Sequence, residues 1–300
     1  MTARDAWETD EDALPLVGAL ARLSVLAEPA VWDDPGMDWS QYDLVVLRSP
    51  WDYTERVEEF LAWADRVGAV TSLANPVEVL RWNTDKHYLG ELAERGLSVV
   101  PTSFVPAAHH DHQDLVSQLP GEGRFVVKPT ISSGSRNTTR FDAGDHANAV
   151  VQLRRLLGEG RDVMVQPYVE SVEDRGETGM MFFDGRFSHG FRKGALLSSG
   201  PAQVDGVHAH EQIDPRRPDT AELALARSVL DAVAERFGGH TPLYARVDVL
   251  GGPDGVPMLL ELELTEPAYF LHTDPTSADR AAAAYVAVLD PARDDLGAPK

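Results

Sequence analysis

The chain has 300 residues, 43% of them hydrophobic, and a formal net charge of −21. That is enough apolar material for a sizeable core and about two domains. The acidic balance argues against a broad nucleic-acid surface, which needs clustered Lys and Arg, and the lack of cysteine removes disulfides, thiolate metal sites and cysteine nucleophiles. No apolar run approaches the ~18 residues that span a bilayer, and the acidic start, with Asp5, Glu8, Asp10, Glu11 and Asp12, lacks the apolar stretch of a secretory signal, so a cytoplasmic protein is expected.

In chain order, residues 11–23 read as an amphipathic helix and Leu23 to Ala27 as a weak strand, with no strand before that helix. Asp43 to Leu47 is a short apolar run of strand length. It ends in Arg48-Ser49-Pro50-Trp51-Asp52-Tyr53, and Thr54 is placed to cap a helix through Val67. Thr84 is placed to cap a helix holding Lys86, Leu89 and Leu92, closed by Gly96. Strands follow near 99–105 and 124–128 with a helix from about Asp111 between them, then a strand at Thr138–Phe141 and a helix at Asp145–Leu157. Val163 to Val165 leads into Gln166-Pro167-Tyr168-Val169. Asp184-Gly185 between two apolar runs is a strong hairpin signal. A helix over 218–237 precedes strands at 242–250 and 256–264, and the tail from Asp290 is expected to fray. Strand, loop and helix near the start define an α/β layer, in which ligands bind beyond the strand ends.

Four lysines, Lys86, Lys128, Lys193 and Lys300, stand against twenty-three arginines. A lysine is a compact charge on a flexible stem, suited to a phosphate oxygen. Lys128 ends the apolar run Phe125-Val126-Val127 and is followed by Ser132-Ser133-Gly134-Ser135, a loop whose backbone N–H groups suit phosphate; no Walker sequence is present. Strand alternation places Arg246 and Asp248 on one face, and likewise Glu261 and Glu263. A four-residue loop from Gly252 to Gly255 would set Arg246 opposite Glu261, whereas a five-residue loop would need a bulge. Three carboxylates beside one guanidinium suit magnesium bound with substrate phosphates; an ordinary charged sheet face is the competing reading. Gln166 offers a donor and an acceptor to a purine edge, and Glu177 offers an acceptor to a ribose hydroxyl. Arg48, Ser49, Trp51 and Tyr53 are candidates for a substrate pocket, with packing as the alternative for the two aromatics. His189, His208 and His210 are candidate bases by residue type alone.

The order and spacing of these pieces over roughly residues 75–290, above all Arg-x-Asp followed after twelve residues by Glu-x-Glu, resemble the ATP-grasp superfamily of carboxylate–amine ligases. The strings Trp32-Asp33-Asp34-Pro35, Leu47 to Tyr53, Leu80 to Lys86 and Leu260 to Leu271 are similar to a bacterial subgroup that includes cycloserine-forming cyclo-ligases. The resemblance implies a mixed α/β (α+β) ATP-grasp fold: an N-terminal α/β domain over 1–80, a lid and central subdomain over 81–165, and a C-terminal antiparallel-sheet subdomain over 166–295. It implies ATP and Mg2+ as cofactors. Lys86 and Lys128 would take the nucleotide phosphates beside Ser133 and Gly134, with Gln166, Tyr168 and Val169 at the adenine and Glu177 at the ribose. Asp248, Glu261 and Glu263 would hold metal, although the family more often has Asn at the last position. Arg246, with Lys193, would act on the transferred phosphoryl group. The expected partner is a small amino-acid-like carboxylate, with neither nucleic acid nor membrane, and a homodimer is an allowed assembly. The implied reaction is carboxylate activation through an acyl phosphate, then intramolecular C–N closure of O-ureido-D-serine to D-cycloserine. A ligase using a separate amine and a non-catalytic nucleotide-binding protein stay open.

Overall fold

The computed structural model describes residues 1–108, 112–195, 200–201 and 212–290. The N-terminal layer contains helix α1 (Ala13–Arg22), strand β1 (Leu44–Val46), helix α2 (Val57–Gly68) and strand β2 (Ser72–Ala74). The strands pair in parallel, Leu44 opposite Ser72, and α2 supplies the crossover that parallel strands need. Phe60, Trp63, Ala64 and Val67 recur at helical spacing on α2 and are buried with Trp32, Leu47 and Tyr53. Three expectations change here. Thr54 does not cap α2: it sits in a 3-10 turn, Trp51–Glu55, and Arg56 takes the cap position without a side-chain bond. Leu23 to Ala27 is not a strand, because Ser24 turns left-handed at φ 65 and the Val25 N–H bonds back to Leu20. A first strand is not wholly missing, since Thr2 bridges both Val31 and Ser49 in parallel.

Helices α3 (Val77–Asn83) and α4 (Tyr88–Glu94) replace the single helix expected from Thr84. The Thr84 N–H still bonds Leu80 at the end of α3, while the Lys86 N–H leaves to bond Thr130 at 3.0 Å. Lys86 therefore occupies a turn between helices, and Gly96 at φ 85 closes α4 as expected. The chain continues through β3 (Ser103–Val105), β4 (Phe125–Pro129), β5 (Thr139–Phe141), α5 (His146–Gly158), β6 (Val163–Pro167), α6 (Ser171–Arg175), β7 (Glu177–Phe183), β8 (Arg186–Lys193), β9 (Gly200–Pro201) and β10 (Ile213–Pro215). It ends with α7 (Thr220–Arg236), β11 (Tyr244–Gly251), β12 (Pro257–Glu263) and α8 (Ser277–Leu289). The helix expected from Asp111 is a 3-10 helix over His112–Gln118, with Asp111 itself outside the described residues. The tail beyond Asp290 also lies outside them.

Two five-stranded antiparallel sheets carry most of the chain, in the orders β3-β6-β4-β5-β9 and β10-β8-β7-β11-β12. In the first, Phe125, Val127, Val163 and Val165 face α5, leaving Val126, Lys128 and Gln166 on the opposite side. In the second, Met180, Phe182, Val247, Val249 and Leu262 pack on α4 and α7, leaving Glu177, Asp248, Arg246, Glu261 and Glu263 on the other side. Asp184 and Gly185 both have positive φ, 49° and 69°, the geometry of a two-residue hairpin turn between β7 and β8. The β11–β12 hairpin takes the five-residue loop with a bulge rather than the four-residue loop. Arg246 lies opposite Glu263 and Asp248 opposite Glu261, because five residues follow the last pair, Gly251–Pro257, and a bulge interrupts the ladder after Asp248.

Asn75 fastens the N-terminal layer to the second sheet. It is fully buried, its amide donates to the carbonyls of Tyr244 (3.0 Å) and Leu264 (2.7 Å), and its carbonyl accepts from the Leu243 N–H (2.8 Å). Replacing it strands three buried backbone groups. Asn75→Ala is therefore expected to lower the unfolding free energy by about 2–4 kcal/mol, at ~1–3 kcal/mol for each unsatisfied group with partial relaxation. Urea denaturation of the purified variant measures this.

Candidate active site

The polar faces of the two sheets enclose a cavity of about 700 Å3, closed at one end by the N-terminal layer. From the first sheet and its following loop come Val126, Lys128, Gln166 and the stretch Ser132 to Ser135. From the second come Glu177, Lys193, Arg246, Glu261 and Glu263. The Ser/Gly loop reaches this position through left-handed residues at Gly134 and Ser135, both at φ 59. It is tied to the N-terminal layer by Ser133 Oγ donating to the Trp51 carbonyl at 3.4 Å.

Asp248 organises the charges of the second sheet. It is completely buried and accepts from Arg246 Nε at 3.1 Å and Nη2 at 3.0 Å, while Lys193 Nζ lies 3.2 Å away. Lys193 stands opposite Glu177 in the β7–β8 register and pairs with it at 2.9 Å, and Gly179 stands opposite Asp248. A Cβ on Gly179 would meet the Phe191 ring at 2.1 Å, so glycine alone leaves room for that ring beside the carboxylate. Arg246 also bonds Glu263, and Lys86 pairs with Glu261 at 3.2 Å while donating to the Ser132 carbonyl at 2.8 Å.

Lys128 differs from the other three cations. It is buried, lines the cavity, and among the described residues makes no ion pair. Burial lowers its pKa, with neighbouring Lys86 and Lys193 adding to the effect and Glu261 opposing it. Glu261 is held well below the usual carboxylate range because Lys86, Lys128 and Lys193 together overcome the cost of burial. Glu263 moves upward, since burial and the nearby charges of Glu261 and Asp248 outweigh Arg246.

Of the residues expected at the site, Lys86, Lys128, Ser133, Gly134, Gln166, Tyr168, Val169, Glu177, Lys193, Arg246, Glu261, Glu263, Trp51 and Tyr53 all border the cavity. Three do not. Asp248 lies beneath its two cations. Arg48 is buried against Asp10 (3.4 Å) and Asp12 (3.3 Å), donates to the Pro267 carbonyl and stacks on Tyr269 at 3.6 Å. Ser49 is fully buried on the Thr2 hydroxyl. Both are core groups of the N-terminal layer, because their partners lie far away in sequence. Gln166 spends its amide on the Thr102 hydroxyl at 3.0 Å, so that side-chain donor is engaged away from the cavity. His189 is buried on the Tyr269 carbonyl away from the cavity, and His208 and His210 fall outside the described residues. Sequence reasoning missed Thr9, Asp10, Asn83, Glu266 and Phe270 on the cavity wall. Asn83, Glu266 and Phe270 lay within strings already singled out, but none had been given a role.

Among the described residues no group of three or more acidic or histidine side chains is disposed as a ready metal cage. The oxygen-only character of Glu261 and Glu263 nonetheless suits magnesium, which takes one or two carboxylates and completes its shell with phosphates and water. Among the described residues, no helix is long and apolar enough to cross a membrane.

Two antiparallel sheets clasping a cation-lined cavity define an ATP-grasp ligase, and comparison with known proteins supports that class. D-alanine–D-alanine ligase from Bacillus anthracis shares the fold at TM-score 0.62 and 15% identity, over 95% of this chain and 93% of that one. A model described as the N-terminal domain of the D-cycloserine synthetase DcsG matches residues 1–75. The cycloserine biosynthesis protein DcsG of Streptomyces lavendulae is 39% identical over 94% of this chain and 95% of its own length. A crystal structure of D-cycloserine synthetase DcsG superposes at TM-score 0.88 with 38% identity, covering 96% and 98% of the two chains. The chain belongs to the DcsG family of ATP-grasp ligases and is an ATP-dependent ligase.

The burial of Asp248 generates a stability prediction. Asp248→Asn leaves Arg246 and Lys193 buried without their shared counter-charge and is expected to cost about 3–5 kcal/mol. Chemical denaturation without ligand measures the loss, and a change below ~1 kcal/mol would mean that Glu177 and Glu263, already paired with Lys193 and Arg246, suffice for the two cations.

Proposed function

We propose that the chain converts O-ureido-D-serine to D-cycloserine, with ATP going to ADP and phosphate, one water consumed, and the carbamoyl part leaving as carbon dioxide and ammonia. The observation that carries this reading is near end-to-end likeness to D-cycloserine synthetase, including residues 1–75, which supply the non-nucleotide end of the cavity through Trp51 and Tyr53. A carboxylate oxygen is a poor leaving group, so the substrate carboxylate is first phosphorylated. Phosphoryl transfer asks the protein mainly for position and neutralised charge.

Lys86 and Lys128 would grip the nucleotide phosphates, with the Ser133–Gly134 loop over them. The backbone at Tyr168 and Val169 would read the adenine, and Glu177 would take the ribose. Magnesium, when bound, would screen the β- and γ-phosphates. Glu261 and Glu263 would hold it, and Asp248 would become available as a third carboxylate once phosphate draws Lys193 away. Arg246, fixed by Asp248 and by the Ala268 carbonyl at 3.2 Å, would meet the charge that develops on the transferred group. Ring closure needs no second substrate, and holding nucleophile and acyl carbon in one molecule contributes up to ~7–11 kcal/mol.

Two measurements test this. Lys128→Met removes a buried cation that makes no ion pair among the described residues, so the ligand-free protein should melt no lower than wild type. Its ATP–magnesium thermal stabilisation, worth about 2.7 kcal/mol at 100 times Kd for the wild type, should vanish together with ADP formation. Separately, ADP release with O-ureido-D-serine as the sole substrate should proceed without an added amine and yield D-cycloserine by mass spectrometry. An absolute requirement for a second amine would instead identify a ligase that joins two molecules.

A further inference from the structure

Glu266 sits on the loop that leaves β12 and lines the cavity beside Tyr53, Arg246, Glu261 and Glu263. The loop is held rigidly. Arg48 takes the Pro267 carbonyl at 2.8 Å, Arg246 takes the Ala268 carbonyl, and the Tyr244 hydroxyl takes the Thr265 carbonyl at 3.0 Å. The Glu266 side chain is left as the only group of this loop segment with acid–base chemistry. Among the described residues it forms no ion pair; the buried Tyr53 hydroxyl is its hydrogen-bond partner, and the charges of Lys86, Glu261 and Arg246 also reach it. The carboxyl thus stands where the N-terminal layer meets the phosphoryl-transfer residues, and it is not tied to a cation as Glu261, Glu263 and Glu177 are.

Ring closure at an acyl phosphate needs a proton acceptor at that place. A ureido or aminooxy nitrogen is a weak nucleophile while it keeps its proton. Resting on the reading given above, we propose that Glu266 is the general base for ring closure. The substrate N–H bond breaks with its proton passing to a Glu266 oxygen, and the nitrogen pair forms the C–N bond. The C–O bond to phosphate breaks, and phosphate leaves with that electron pair. The protonated Glu266 then returns its proton to solvent or to the departing phosphate.

The charge around Glu266 suits the task. Burial raises its carboxyl to about 7, opposed by the Tyr53 hydrogen bond and by Lys86 and Arg246, and assisted by Glu261. Glu263 and the more distant Tyr244 also feel its charge. A base poised near the working pH is where proton transfer is most effective, typically contributing ~10²–10⁴-fold.

The test separates the two half-reactions. Glu266→Gln, with ATP, magnesium, O-ureido-D-serine and hydroxylamine, should still yield the hydroxamate that reports acyl phosphate, within about threefold of wild type, while D-cycloserine formation falls about 100-fold. Tyr53→Phe removes a bond that favours the carboxylate, so the acid limb of its kcat profile should move to higher pH than the wild-type limb near 7. Equal loss of hydroxamate and D-cycloserine in a Glu266→Gln protein with wild-type melting temperature would make Glu266 a binding group and overturn the proposal, as would undiminished ring closure. If Glu266→Gln does not fold, an acid limb unmoved in Tyr53→Phe overturns it. A wild-type protein that gives no hydroxamate and no D-cycloserine defeats the reaction assignment itself, a result distinguishable from either.

Discussion

The cavity depends on one buried carboxylate holding two cations. Asp248 accepts from Arg246 and lies against Lys193 in a layer that water does not reach. A protein with a net charge of −21 repels polyanions at long range, so a nucleotide site within it must be positive locally and dense in cations. Cations that dense are costly to bury without a ligand present. Placing an acid underneath them holds the guanidinium and the ammonium in place at the cavity wall. Lys128 makes no ion pair among the described residues, and only the nearby charges of Glu261 and Glu177 oppose its desolvation, so an entering anion would relieve it further and couple ligand binding to the stability of the jaw that carries it.

The alternation of β-strands distributes these roles. Along β11 the odd residues Val247 and Val249 join the core with α7, while Arg246 and Asp248 face the opposite way. Along β4 the same alternation hides Val127 and offers Val126 and Lys128. The two polar faces are held across the cavity by short ties from a few points: Lys86 to Thr130, Ser133 to Trp51, and Val100 to Leu259. Lys86 belongs to both arrangements. Its backbone N–H bonds the first sheet's loop while its ammonium meets Glu261 on the second sheet, so the turn between α3 and α4 links the jaws at the point where the phosphates are proposed to lie.

Much of this was legible from local pattern. The Asp184-Gly185 hairpin, the shared face of Arg246 and Asp248, and the lysine at the end of β4 follow from residue type and a period of two. The β11–β12 register was legible only as a choice between a four-residue loop and a five-residue loop with a bulge, and the structure takes the second. The position of Lys86 was missed: Thr84 suits a helix start, but α3 was already running and Thr130 captured the next amide. Arg48 looked like a ligand-binding arginine because it follows a strand in an α/β layer. Its partners Asp10 and Asp12 come from before α1 and its stacking partner Tyr269 from beyond β12, and no local window contains all of them.

The division of the cavity bears on how new chemistry is fitted to this fold. One end is built from the faces of the two sheets, a fold that relatives of about 15% identity share, and on the proposed reading it takes the nucleotide. The other end is built from Trp51 and Tyr53 in the N-terminal layer and from Glu266 and Phe270 in the loop beyond β12. That loop is clamped by Arg48 on one side and Arg246 on the other, so the cavity-lining Arg246 and the N-terminal core arginine jointly fix where Glu266 stands. On the proposed reading this coupling has a chemical purpose. A single substrate must present its carboxylate to Arg246 and then its nitrogen to a base without diffusing away, and one rigid loop that touches both positions allows the second step to follow the first inside a closed space.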